Sequence, residues 1–130
     1  MKRELVDPGW AWTKKFNIPA GMKVGDTVYL SGNVAFDADG NIIGENDVYA
    51  QSKQIFQNIE EALASAGASM EEVIKITTYV TDISRYGEFS KARNEAFPGG
   101  VPATTAIAAS ALVLPELLVE IEAIAIIGSA

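Results

Sequence analysis

The sequence predicts an α+β domain, a sheet covered on one face by two helices, in a chain of 130 residues with no linker or internal repeat. Two periodicities carry that expectation. Around residues 26–32, 73–81 and 117–127 apolar side chains alternate at every second position, as a strand distributes them between its two faces. Between the first two of these runs apolar residues recur every three or four positions instead, which gathers them on one side of a helix. The 48% apolar content suffices for one core, so a single domain over residues 1–130 is expected.

In the first run Val28 and Leu30 alternate with Thr27, Tyr29 and Ser31 behind a turn at Val24-Gly25-Asp26, which predicts a strand. Asp37-Ala-Asp-Gly40 supplies turn residues before Asn41-Ile-Ile43, so a loop or short hairpin is expected there. From about Asp47 to Ala66 a stripe of Val48, Ile55, Ile59, Ala62, Leu63 and Ala66 predicts a helix. Asn46 or Asp47 can cap its start, and Gly67 suits the left-handed residue that ends it. Ser69-Met-Glu-Glu72 has the capping-box pattern, with room for about one helical turn before the next strand. That strand, Val73 to Thr81, is rich in β-branched residues. A second helix is predicted from Ser84 or Tyr86 to Phe97, on Phe89, Ala92, Ala96 and Phe97. Pro98-Gly-Gly-Val-Pro102 then breaks the chain, and strands follow at about Ala103 to Leu112 and Leu117 to Ile127.

The last strand is apolar on both sides. Val119, Ile121, Ala123, Ala125 and Ile127 share one face, and Leu118, Glu120, Glu122, Ile124 and Ile126 the other. Two helices can cover only one face, so a neighbouring subunit is the simplest cover for the second, which puts Glu120 and Glu122 near a subunit boundary.

Composition excludes several chemistries. The chain has neither cysteine nor histidine, which removes disulfides, Ser-His-Asp and Cys-His catalysis and the common zinc sites; no metal or cofactor is expected. A net charge of −7 disfavours nucleic-acid partners, which bind clustered Lys and Arg. Charges and a proline within Met1 to Trp12 do not suit a signal peptide, and no apolar run reaches bilayer length, so a cytoplasmic protein without membrane contact is expected.

Three stretches carry a family resemblance. Val24-Gly-Asp-Thr-Val-Tyr-Leu-Ser-Gly32 resembles the early Gly-Asp, strand and Ser-Gly block of the RidA/YjgF family, also labelled endoribonuclease L-PSP. Asn58-Ile-Glu-Glu-Ala-Leu-Ala-Ser-Ala-Gly67 followed by Val73 to Asp82 is similar to its helix, glycine and strand block. Pro102-Ala103 and Leu117-Leu-Val-Glu-Ile-Glu-Ala-Ile-Ala125 are similar to its C-terminal signature. The resemblance implies a chorismate-mutase-like fold, a homotrimeric barrel, and small-molecule clefts at the subunit interfaces. For the archetypal members it implies an enamine/imine deaminase, in which an arginine after Pro-Ala clamps the substrate carboxylate and a glutamate in the last strand positions water.

Carried over by position, Glu120 takes the place of that glutamate, and Ser31-Gly32 the cleft-lining Ser-Gly. Thr104 stands where the arginine is expected, Ala106 where many members have cysteine, Ile18 near the usual tyrosine, and Ser90 where asparagine is common. A single hydroxyl cannot reproduce a guanidinium fork, so carboxylate affinity from that position is lost. Glu120 reads as a water-orienting group or as a structural acid at the trimer interface, and Glu122 as structural. Ser31 and Gly32 could offer a hydroxyl and a close-approach backbone to a ligand, or merely end the strand. Trp10, Trp12 and Phe16 either anchor the N-terminal segment or give a ligand something to stack on. Lys14, Lys15, Arg85 and Arg93 are the cations available to replace the clamp, or are solvated surface charges. Two functions follow: a hydrolytic deaminase-like enzyme acting on a small metabolite, or a non-catalytic trimer binding a small molecule or partner. Ribonuclease activity, from the family's older label, fits the acidic balance and the missing histidine poorly.

Overall fold

The computed structural model describes residues 1–130. Its elements are β1 (Arg3–Val6), α1 (Ala11–Lys15), β2 (Gly21–Val24), β3 (Thr27–Leu30), α2 (Val48–Ser65), β4 (Val73–Val80), α3 (Tyr86–Ala96), β5 (Ala103–Ala108) and β6 (Val119–Ile126), with single-turn 3-10 helices at Met70–Glu72 and Ile83–Arg85. The strands form one sheet in the order β1-β2-β3-β6-β4-β5, antiparallel throughout except for the β4–β5 pair.

β6 lies inside the sheet because its alternation supplies a wholly apolar face. Val119, Ile121, Ala123 and Ala125 are at most 2% exposed and pack beneath α2, whose Ile55, Ile59 and Leu63 are fully buried. Each of the Val, Ile and Leu side chains contributes about 1.5–3 kcal/mol on leaving water, each alanine less. Phe56 stacks on Phe89 and meets Phe97 edge-on, which ties α2 to α3. The Asp47 carboxylate caps α2 by accepting from the Ala50 N–H at 2.9 Å. Gly67, at φ +81°, closes it: the Ala68 N–H returns to the Leu63 carbonyl and the Gly67 N–H to that of Ala64. Glu72 receives the Ser69 N–H at 2.9 Å, and only one turn follows.

The structure departs from the sequence reading at the N-terminus and in β5. β1, α1 and β2 are additional elements of four or five residues, too short for a period to register. β5 stops at Ala108 rather than Leu112 because its only partner, β4, ends at Val80, the residue in register with Ala108. The loop or short hairpin expected at Asp37 is a loop closed by one bridge between Phe36 and Ile42 and held by Asp37 Oδ1 accepting from the Asp39 and Asn41 N–H groups at 2.9 Å.

Nothing in the chain covers the other sheet face. Leu5, Tyr29 and Ile107 are exposed on it, beside half-buried Ile124 and Ile126. Lys75 donates to Thr105 Oγ1 at 2.6 Å and Tyr79 to Glu122 Oε1 at 2.6 Å across the same surface. No helix is long and apolar enough to cross a membrane.

Candidate functional site

Past the end of β3 the chain turns back against β6, and this approach builds the site. The Asn33 N–H donates to the Ile121 carbonyl at 2.8 Å and the Asn33 carbonyl accepts the Ile121 N–H at 3.0 Å, which sets Gly32 beside Glu120. The segment is held from behind by Asn58 of α2, a buried amide whose Nδ2 donates to Asn33 Oδ1 at 3.0 Å and to the Phe36 carbonyl at 2.8 Å. Gln51, also on α2 and fully buried, fixes the approach to β6: its Nε2 donates to the Glu116 carbonyl at 2.9 Å and its Oε1 accepts the Leu118 N–H at 2.9 Å. Buried amides satisfied in this way hold two loops at defined distances from one helix.

A cavity of about 540 Å³ opens between them. Trp12, Phe16, Ile18, Val34, Phe36, Val113 and Leu114 form its apolar lining, and Ser31, Gly32 and Glu120 supply its polar part. Trp12 is 4% exposed, lies parallel to Trp10 at 5.4 Å and meets Phe36 edge-on at 5.6 Å. Trp10 in turn donates through Nε1 to Glu61 of α2 at 3.0 Å, so the aromatic cluster both anchors the N-terminal segment and supplies part of that lining.

Glu120 is the only charged side chain in the lining, and its carboxylate accepts no hydrogen bond from the chain. Half-burial, and then the like charge of Glu122, push its carboxyl above the usual carboxylate range. It lies so close to Gly32 that a Cβ there would come within 3.0 Å of Glu120 Cδ and overlap Oε2, so glycine is what leaves the carboxylate its place. The Gly32 N–H has no partner within the chain. Ser31 differs from expectation: its hydroxyl donates to the Pro19 carbonyl at 2.7 Å, so it can accept from a ligand but has no proton free to donate.

Thus Ile18, Ser31, Gly32 and Glu120 come together, while Thr104, Ala106 and Ser90 lie elsewhere. Thr104 is in register with Ile76 on the helix-covered side of β4, whereas Glu120 is in register with Tyr79, which faces the open side. Two strand spacings and three residues of register separate them, about 10 Å in each direction. One ligand cannot touch both within a single chain. Thr104 and Ala106 are exposed on β5, and Ser90 accepts from Arg93 Nη2 at 3.1 Å on α3.

None of the candidate cations lines the cavity. Arg85 pairs with Glu88 at 2.9 Å and donates to the Asn46 carbonyl, Arg93 is bonded to Tyr86, Ser90 and Asn94, and Lys15 lies over the Phe16 ring at 5.4 Å. No cluster of three or more carboxylates converges to hold a metal ion. Sequence reasoning missed Val34, Phe36, Val113 and Leu114. For the last two, the signal was a pair of large apolar residues directly before Pro115 in an exposed loop.

Comparison with known proteins bears on the family and the fold. The family model described as endoribonuclease L-PSP matches residues 13–127. A RutC family protein of Pyrococcus abyssi is 32% identical, over 96% of this chain and 98% of the relative. Among solved structures, a YjgF-family member from Mycobacterium tuberculosis superposes with a TM-score of 0.83 at 32% identity, covering 97% of this chain and 100% of the other. RidA from the Antarctic bacterium Psychrobacter superposes at 0.78 with 32% identity, covering 84% and 87%.

Proposed function

Because the chain belongs to the endoribonuclease L-PSP family, the RidA/YjgF proteins, we propose that it is a deaminase-like hydrolase acting on small imines or enamines in clefts shared between subunits of a homotrimer. The observation that carries the reading is Glu120, a half-buried carboxylate with no hydrogen bond from the chain, facing a cavity large enough for a small metabolite. Its raised proton affinity brings it toward the range in which one group can both take and return a proton. Water held by Glu120 attacks the imine carbon and gives a proton to the carboxylate. The proton passes to nitrogen, the carbinolamine collapses to a carbonyl, and ammonia leaves.

The open sheet face and the bare β5 edge support the trimer: packing that face against other copies would cover Tyr29, Ile124 and Ile126. It would also let Thr104, Ala106 and Ser90 of one copy approach Glu120 of another, which a single chain does not allow. The test is ammonia release from freshly generated small imines and enamines by the wild type and by Glu120→Ala. Release that falls to background in the variant is expected, and equal rates for the two would remove Glu120 and the reading with it.

Thr104 and Ala106, where the resemblance leads one to expect arginine and cysteine, favour a second reading in which the trimer binds a metabolite without turning it over. In that case ligands raise the thermal midpoint while no imine is consumed.

A further inference from the structure

We propose that the Glu120 cavity selects cationic, carboxylate-free compounds, iminium ions and amines whose apolar part is about the size of an aromatic ring. The inference rests on the reading of this cavity as the reaction site and narrows its substrate class. Charge accounting comes first. Glu120 is the only charged residue among the walls, and the Glu122 carboxylate lies on the same face of β6. No lysine or arginine of the chain lines the cavity: Arg85 and Arg93 are bonded elsewhere, and the Lys15 ammonium lies over the Phe16 ring at 5.4 Å. Within one chain a ligand carboxylate would therefore enter apolar surroundings beside a like charge, with no cation in the lining to receive it.

A cation meets the opposite conditions. Glu120 supplies a counter-charge that no group of the chain pairs with, and the aromatic lining of Trp12, Phe16 and Phe36 gives the rest of the molecule apolar surroundings. The volume of about 540 Å³ suits an aromatic ring with a short arm. The hydrolysis balances without any further reactant. An N-unsubstituted iminium ion and one water become the corresponding carbonyl compound and an ammonium ion. The C–O bond forms from water, the C–N bond breaks with its electron pair leaving on nitrogen, and both water protons end on ammonium by way of Glu120.

The test uses three probes of one shape, 2-phenylethylammonium, 2-phenylethanol and phenylacetate, titrated against the tryptophan fluorescence of the full chain. The expected result is the cation binding at least about tenfold more tightly than phenylacetate. Glu120→Gln should erase the advantage of the cation over the alcohol, and Phe16→Ala, at an exposed wall position, should weaken all three. Phenylacetate binding as tightly as the cation overturns the inference. So does an unchanged ranking in Glu120→Gln, indifference of all three probes to Phe16→Ala, or no binding at millimolar probe. Ammonia release, assayed separately, distinguishes this failure from failure of the hydrolase reading. A cation preference without turnover sinks hydrolysis and leaves the selectivity standing, while Glu120-dependent turnover of carboxylate-bearing imines without that preference does the reverse.

Discussion

Replacing Gly32 by alanine separates where the Glu120 carboxylate sits from whether it is present. Gly32 is not among the residues at positive φ, so its backbone accepts a Cβ, and the stiffer unfolded chain stabilises by about 0.4–1 kcal/mol. The new methyl would overlap Glu120 Oε2 and lie 3.0 Å from Cδ, whereas non-bonded heavy atoms settle at about 3.5 Å, so the carboxylate must swing away by at least about 1 Å. The retreat is cheap, since it moves the free end of a side chain that holds no hydrogen bond. Net stability should stay within about 1 kcal/mol of wild type. Activity should respond differently, because a reacting group misplaced by about 1 Å can cost about 10²-fold in rate. Thermal midpoint and ammonia release measured side by side, with Glu120→Ala as the baseline, test this. A folded Gly32→Ala protein that turns over at the wild-type rate would refute the claim that Glu120 acts from its observed position.

Glu120 works as a base only when ionised, so activity should rise with pH along a limb above the usual glutamate range; Glu122→Gln, by removing the like charge, should move that limb to lower pH. The same upward shift favours the protonated folded state, so the Glu120 contribution to stability is present below the ordinary carboxylate range and lost as pH rises through its folded value; Glu120→Gln should flatten that part of a urea-midpoint profile against pH. Asn58→Ala orphans Asn33 Oδ1 and leaves the Phe36 carbonyl only its longer bond from Gln54 at 3.3 Å, and should cost about 1–3 kcal/mol in urea unfolding; a loss under about 0.5 kcal/mol would show that water replaces the amide. Ile124→Lys places a charge on the open sheet face and should shift sedimentation from trimer to monomer, and a wild type already monomeric in dilute buffer would dissolve the shared-cleft reading. With a net charge of −7, the protein should retain no RNA at physiological salt, as a filter-binding assay across salt concentrations can check.

Long, regular elements were legible in the residues. α2 and β6 announce themselves because their periods persist for 18 and 8 residues, and the two-sided apolar character of β6 correctly implied a face that the helices do not cover. β1, α1 and β2 were not legible, since an edge strand such as Arg-Glu-Leu-Val has no buried face to impose alternation. Of the positions carried over from the resemblance, Ile18, Ser31, Gly32 and Glu120 line one cavity, whereas Thr104, Ala106 and Ser90 do not. The apolar lining was only partly visible. Trp12 and Phe16 were visible as an aromatic cluster, but Val34, Phe36 and Leu114 join them only through the Asn33–Ile121 bridge and the Gln51 and Asn58 bonds, long-range pairings that leave no local pattern. The separation of Thr104 from Glu120 followed from strand order, which one sequence does not encode in any short window.

The exposure of Thr104 and Ala106 has a consequence for how such a scaffold drifts. Neither residue is buried, and no side-chain bond of the chain depends on them, so exchanges there pass unnoticed by folding. Gln51 and Asn58 have no such freedom, because any replacement strands backbone groups in the interior. Mutation can therefore rewrite what β5 offers a ligand while the loops that carry Gly32 and Glu120 stay where they are, and a new specificity need not wait for a compensating change in the core.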